Sequence, residues 1–563
     1  MKRINKIATI FLLVCVIFTS SGCEIIKGII NLYNPPAYSQ RKYVAPDEEA
    51  IAKLLEEIKT LCGESNKSSA VTAKRTSFYL KYNEAMTSRT VAYLEYYKDV
   101  NDSAAKERAE YIDNYFNQLN NSAIEMEQTI LKSEYASLII DSVGQDYADM
   151  ILNRPVKSDE LLELESEESA LVNQYSATYS AGSKNNPAFA DELAGIYKNL
   201  IVTRNKIAAL NKDSDGNAYK NYHDYAYEQV YGRNYSPDDI APFRQAVSQN
   251  FYEIGKALKQ SSSAYVTESA RRSLISQYQI KQYMPEIIKA TAPEMSSRWD
   301  YMMNLGLYDF NVSSSKYPNS FVIEFQQYSD GFMFIDASGS LLNDLSTIVH
   351  EFGHYNAIFA TDSDKEGDVN ITGIDLAETH SQCFELLTLP AVKTVLEKYG
   401  RGDVYTAYAD NILLQSVWSM LSNCLFDEFE YTVYNTDESM LSRTYFEETF
   451  DNIWKKYWTV ENDTGEPSYD YYDITHFYGS PSYCISYSAS MVFASEIWAS
   501  ETPVADYLNV VSYGENHYLN ELAEKVGLSN PFAPETLANV ANFYKEQINA
   551  YLGLTINDHN TTI

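Results

Sequence analysis

Basic residues, cysteine, glycine and proline are all in short supply in this chain, and each shortage narrows what it can be. Only 44 Lys and Arg stand against 77 Asp and Glu, a net charge of −33. That balance argues against a nucleic-acid partner and for a soluble, self-repelling surface. It says little about substrate, because acidic side chains also solvate helix faces. With 22 Gly and 16 Pro in 563 residues, the chain reads as globular, and it is long enough to bury a substantial core in several domains or one large helical body. Beyond the N-terminus no apolar stretch is long enough to cross a bilayer. Cysteine is sparse too. Setting aside Cys15 and Cys23 near the N-terminus leaves Cys62, Cys383, Cys424 and Cys484. Their wide spacing matches neither a zinc finger nor a disulfide framework, so buried free thiols are expected.

The N-terminus is an address rather than a fold. Lys2, Arg3 and Lys6 precede an apolar run from Ile7 to Thr19, too short to span a membrane comfortably, so residues 1–22 read as a signal peptide. Ser20-Ser21-Gly22-Cys23 is similar to a bacterial lipobox, with Ser20 in place of the usual aliphatic residue. Cleavage before Cys23 and lipidation of its thiol would anchor the protein on the extracytoplasmic face of the cell membrane. Residues 23–45, with Pro35-Pro36, suit a tether.

A helix then starts at Pro46-Asp47-Glu48-Glu49, with an early proline and acids at its N-terminus, and stops at Gly63. Long amphipathic patterns continue to about residue 300, giving an N-terminal helical region over 46–315. Residues 316–563 form a second region. Strand character is concentrated at Phe321–Phe325 and from Gly331 to Asp336. The last strand could lend its edge to an extended peptide, although ordinary sheet packing accounts for it equally well. The 48 tyrosines mostly suit half-buried helix packing.

Histidine is scarcer still, at 7, which gives weight to His350-Glu351-Phe352-Gly353-His354. On a helix, His350 and His354 project from one face and can hold one zinc ion, with Glu351 beside them to take a proton from a metal-activated water. Leu345, Ile348, Phe352, Tyr355 and Phe359 form an apolar stripe roughly opposite. Asn343 or Asp344 can cap the helix. A catalytic zinc needs a third protein ligand. A second helix over 375–389, ending before Pro390, offers Glu378, with competing readings. Asp375 and Glu378 could be a capping box, and His380 is a suitable ligand but lies about 200° around the helix from Glu378. Glu385, seven residues after Glu378 on the same face, could accept a ligand imidazole's N–H.

The two motifs together, His350-Glu351-Phe352-Gly353-His354 and Glu378-Thr379-His380-Ser381-Gln382-Cys383-Phe384-Glu385, resemble the thimet oligopeptidase and oligoendopeptidase F family of zinc peptidases. Its second motif runs Glu-x-x-Ser-x-x-x-Glu. The stretches Tyr197 to Asn205, Tyr219 to Tyr222 and Tyr235 to Ile240 resemble the family's N-terminal helical portion. His476 with Pro481-Ser482-Tyr483-Cys484-Ile485-Ser486-Tyr487 is similar to the segment that reaches over the zinc, where Ser482 and Cys484 replace residues commonly aromatic. The resemblance implies Glu378 as the third ligand of one zinc per chain and Glu385 as its support. It implies His476, Tyr483 and Tyr487 as donors to the oxyanion of a peptide bond attacked with help from Glu351. It also implies a mainly α fold: a large two-lobed helical body around a deep channel, with a small β-sheet next to a gluzincin-type zinc helix. The function expected is cleavage of internal bonds in oligopeptides. A peptide-binding lipoprotein with a non-catalytic zinc site, or a helical zinc carboxypeptidase, are the alternatives.

Overall fold

The computed structural model describes residues 34–152, 158–182, 186–213, 216–362, 365, 371, 373–458 and 469–556. The signal segment, Cys23 and the first part of the expected tether lie outside the described residues. The protein is mainly helical with one three-stranded sheet. It divides into two compact units, one drawn from Met1–Pro155 and Glu294–Gly339, the other from Val156–Pro293 and Ser340–Ile563. The boundary drawn from sequence at 315/316 therefore falls inside the first unit.

In that first unit, helix α1 (Glu48–Cys62) runs between the signals read for it. Asp47 accepts the Ala50 N–H at 3.0 Å, Glu48 and Glu49 occupy the first turn, and Gly63 follows the last. It packs with α2 (Ser68–Lys98) and α3 (Ser103–Leu131) around Ile58, Val71, Phe78 and Ile130. The sheet comprises β1 (Tyr308–Asp309), β2 (Phe321–Phe325) and β3 (Asp330–Phe334). Its order corrects one expectation. β3 is the central strand, parallel to β1 and antiparallel to β2, so it has no free edge for a peptide. The two-residue β1, too short to register as a pattern in sequence, covers it. β3 also buries a charge. Asp330 is fully buried because the Arg41 guanidinium meets both of its oxygens, at 2.7 and 2.6 Å, and the Tyr301 hydroxyl donates at 2.8 Å. The chain is thus fixed to the sheet by residue 41, within the stretch expected to be tether.

The second unit carries α4 (Pro187–Leu210), α5 (Ala241–Tyr265), α6 (Leu341–Ala360), α7 (Thr379–Lys398), α8 (Gly402–Tyr434), α9 (Ile485–Ala499) and α10 (Pro534–Leu552). The centre is α8. Leu413, Val417, Leu421, Leu425 and Phe429 are fully buried, and so are the four successive residues Ala407, Tyr408, Ala409 and Asp410, which point right round the helix, the mark of a helix enclosed by others. Each of the large apolar side chains contributes about 1.5–3 kcal/mol of burial. Helices α5, α7, α9 and α10 pack on it, and α6 packs on α7.

Three helix limits differ from expectation, α7 also starting one turn later than residue 375, at Thr379. Helix α6 starts one turn early, at Leu341, capped by Ser340, whose hydroxyl accepts the Asn343 N–H at 3.4 Å. Neither Asn343 nor Asp344 caps it. Helix α7 does not stop before Pro390 but runs through it to Lys398. The proline removes one backbone hydrogen bond and its ring crowds the preceding turn, together costing about 3 kcal/mol or more in a helix interior. Burial of Leu386, Leu389, Val392, Val395 and Leu396 on both sides offsets that loss. The four thiols are free, three of them buried and Cys62 half-buried. Among the described residues no helix is long and apolar enough to cross a membrane.

Candidate metal centre and active site

Helix α6 is built as its stripe requires. Leu345, Ile348, Phe352 and Tyr355 are fully buried and Phe359 partly so, which turns the opposite face towards an accessible site. On that face His350 and His354 keep 28% and 23% of their side-chain surface, and Glu378 keeps 16%. Glu378 comes from the residue just before α7, and Gly353 explains how it gets close enough. A Cβ at Gly353 would lie 2.6 Å from the Ser381 Cα and 2.7 Å from the His380 carbonyl oxygen. Both are backbone atoms of α7, so only a residue without a side chain lets the two helices meet this closely.

The result is a cluster. One Glu378 oxygen, Oε2, lies 3.4 Å from His350 Nε2 and 3.2 Å from His354 Nε2. One ligand atom from each of the three residues falls within 4.8 Å of the others. The far side of His350 settles its tautomer. Nδ1 lies 2.5 Å from Glu385 Oε1, and since a carboxylate only accepts, Nδ1 carries a proton and Nε2 is the nitrogen left to face a metal. A metal ligand needs that arrangement. The Ser381 hydroxyl lies 3.0 Å from Glu378 Oε2 and from the Glu378 carbonyl, steadying the carboxylate. Without a metal, Glu378 and Glu385 outweigh the burial that disfavours a proton on His350 and hold the imidazole well above its ordinary range, so a metal would displace the Nε2 proton on binding. Burial likewise opposes charge on Glu378, yet His350 and His354 hold its carboxyl well below the usual value. Two imidazole nitrogens and a carboxylate oxygen, pre-oriented and partly accessible, fit a zinc ion.

Glu351 sits beside these groups and differs from them. It is only 5% exposed, and its Oε2 has no hydrogen-bond partner among the described residues. Burial pushes its carboxyl up, against the pull of His350 and His354. A buried carboxylate left with an unpartnered oxygen is available to a proton.

The competing readings of the second motif separate cleanly. Asp375 is no capping residue for Glu378; it lies in a short turn, Ile374–Leu376, in a buried network of its own. Its oxygens meet Arg233 Nε at 3.3 Å, the Ser486 hydroxyl at 2.5 Å and the Tyr235 hydroxyl at 2.7 Å. His380 stands apart from the cluster. It is buried, its closest charged partner is Glu515 Oε1 at 3.7 Å, and burial pushes its imidazole down to about 3, so it is neutral.

His476, Tyr483 and Tyr487 come together as a half-buried aromatic group from a short helix, the loop after it and α9. The His476 ring stacks over Tyr483 at 5.9 Å and meets Tyr487 edge-on at 5.8 Å; the two tyrosines are 5.1 Å apart. Burial pushes both phenols up, and the charge on Glu378 pushes them further. They therefore remain protonated donors, electrostatically coupled to the cluster. Burial pushes His476 down, favouring its neutral form. Arg233 was not legible as part of this site. It lies in an aromatic stretch with no motif, yet it bonds the Ser482 carbonyl at 2.9 Å and the Ser486 hydroxyl at 2.7 Å while meeting Asp375. One guanidinium ties the segment leading to Glu378 to the loop bearing Tyr483.

Comparison with known proteins agrees with this architecture. Residues 294–541 match the model of Peptidase family M3. No curated protein matches the sequence. Among solved structures, PZ peptidase A with inhibitor 2 is similar, with a TM-score of 0.70 at 17% identity, over 91% of this chain and 99% of that one. A protein assigned as oligoendopeptidase F superposes with a TM-score of 0.71 at 18% identity, over 92% and 100%. A Bacillus anthracis protein with the same assignment gives 0.68 at 19%, over 92% and 98%. At these identities the likeness is one of fold.

The close approach at Gly353 carries a prediction. Gly353→Ala forces α6 and α7 apart and is expected to weaken metal binding by about 10–100-fold, the range seen when support around metal ligands is lost. Competition with a chromogenic chelator measures it. Unchanged affinity would show that the helix contact does not set the cluster.

Proposed function

We propose, on the match of residues 294–541 to the model of Peptidase family M3, that the chain is a zinc-dependent oligoendopeptidase acting on internal bonds of short peptides. The observation that carries this reading is the pairing of a His350, His354 and Glu378 cluster with a buried, underbonded Glu351. A site retained only for structure or for binding has no use for such a base.

His350, His354 and Glu378 would hold the zinc, which supplies Lewis acidity for a water and for the scissile carbonyl when bound. The chain's own groups do the rest. Glu385 keeps the His350 ring oriented through Nδ1. Glu351 accepts the proton of the attacking water and returns it to the departing amine. Tyr483, Tyr487 and neutral His476 donate hydrogen bonds to the oxyanion that develops on the former carbonyl; loss of one such donor costs on the order of 10²–10³ in rate. Arg233 and Asp375 hold those donors and the Glu378 segment in one frame.

Replacing Glu351 by Gln keeps shape and removes the base. Turnover of an internally quenched peptide is expected to fall by about 10²–10⁴-fold with bound zinc retained; wild-type turnover in that variant would sink the role. In the wild type, activity falls as the pH drops and Glu351 takes up a proton.

We further infer an extracytoplasmic location, with Cys23 lipidated and the membrane as the anchoring partner. The basic start, short apolar run and small residues before Cys23 support it. Labelled palmitate is expected in the wild type and absent from Cys23→Ser. Label persisting in the variant, or an unlabelled wild type in the soluble fraction, would refute the anchor.

A further inference from the structure

Three non-glycine residues among those described have a positive φ: Asn66, Ser329 and Ser482. The first two are exposed; Ser482, with φ of 66°, is fully buried. A buried serine in the left-handed region persists only where its surroundings over-determine it. Here they do, through every polar atom it has. Its N–H donates to Glu430 Oε2 at 2.9 Å. Its hydroxyl shares a hydrogen bond with His223 Nδ1 at 2.7 Å. Its carbonyl accepts from Arg233 Nη1 at 2.9 Å. The carbonyl before it, on Pro481, accepts from the Tyr231 hydroxyl at 2.9 Å. His223 and Glu430 are fully buried and Arg233 nearly so; His223 and Arg233 lie ten residues apart in one segment, and Glu430 comes from α8.

The residue held this way immediately precedes Tyr483. Returning Ser482 to an ordinary φ near −65° would turn the chain by about 130° and carry the Tyr483 ring off His476 and away from Glu378. We propose that Ser482, clamped in the left-handed conformation by His223, Glu430 and Arg233, is the positioning residue that sets Tyr483 over the metal cluster. The strain is local, and it serves a group one residue away. This inference rests on Tyr483 acting as an oxyanion donor, and its test is chosen to separate the two ideas.

The experiment measures kcat, KM and zinc content for wild type, Ser482→Ala, Ser482→Gly, Tyr483→Phe and the Ser482→Ala/Tyr483→Phe double variant, on one internally quenched peptide. Alanine loses the His223 bond while still resisting positive φ; glycine loses the same bond but adopts that φ freely. Expected are a kcat about tenfold lower in Ser482→Ala with KM within about twofold and zinc unchanged, recovery of most of that loss in Ser482→Gly, and little further loss when Ser482→Ala is added to Tyr483→Phe. Full kcat in Ser482→Ala overturns the inference, as do losses that multiply in the double variant or a glycine variant no better than alanine. Full activity in Tyr483→Phe overturns the assignment of Tyr483 and the inference with it. A defect in Tyr483→Phe that simply multiplies with that of Ser482→Ala overturns the inference alone.

Discussion

The close contact between α6 and α7 is the constraint on which the site depends. His350 and His354 are fixed by one helix, while Glu378, Ser381 and Glu385 belong to the next, and the cluster exists only because the two backbones meet at Gly353. A glycine inside a helix costs about 1 kcal/mol relative to alanine. Here it removes the one side chain that would hold the ligands apart. From that contact follow the short His350–Glu385 bond, the orientation of the imidazole and the two approaches of Glu378 to the histidines.

A second layer fixes what faces the cluster. Burying charge is costly unless it is paired and fully hydrogen-bonded, and this unit buries several charges. Arg233, Asp375, Asp427 and Arg244 are all largely withdrawn from water. Arg244 Nη1 and the Tyr227 hydroxyl bond opposite oxygens of Asp427, just as Arg233, Tyr235 and Ser486 share Asp375. Such networks add little net stability, but breaking one member leaves a bare buried charge. That penalty favours one arrangement of the loop at 480–483 over its alternatives. Geometry at the site is thereby set by residues that never reach a substrate.

How much of this could be read beforehand depended on sequence distance. His350, Glu351 and His354 are neighbours on one helical face, so their spacing alone was informative, and Glu385 stood one heptad from Glu378. Glu378 itself needed the resemblance, because periodicity left Asp375, His380 and Glu385 in play. Gly353 carries no local signal, since its partner backbone is on the next helix. Arg233 and His223 gave no local signal: their partners lie 142 and 259 residues away. The same reason explains the errors in the fold. A local rule ended α7 at Pro390, and tertiary burial carried it on; a two-residue strand too short to see closed the edge of β3.

The central claim is that the His350, His354 and Glu378 cluster holds one zinc that peptide-bond cleavage within a chain requires. Mass mapping of products from a C-terminally amidated oligopeptide tests it most directly, using purified protein before chelation, after chelation and after zinc is restored. The account predicts one zinc per chain and internal cleavage that disappears with the metal and returns with it. Cleavage that survives complete removal of zinc, or peptide captured by the zinc-loaded protein and left intact, would contradict it.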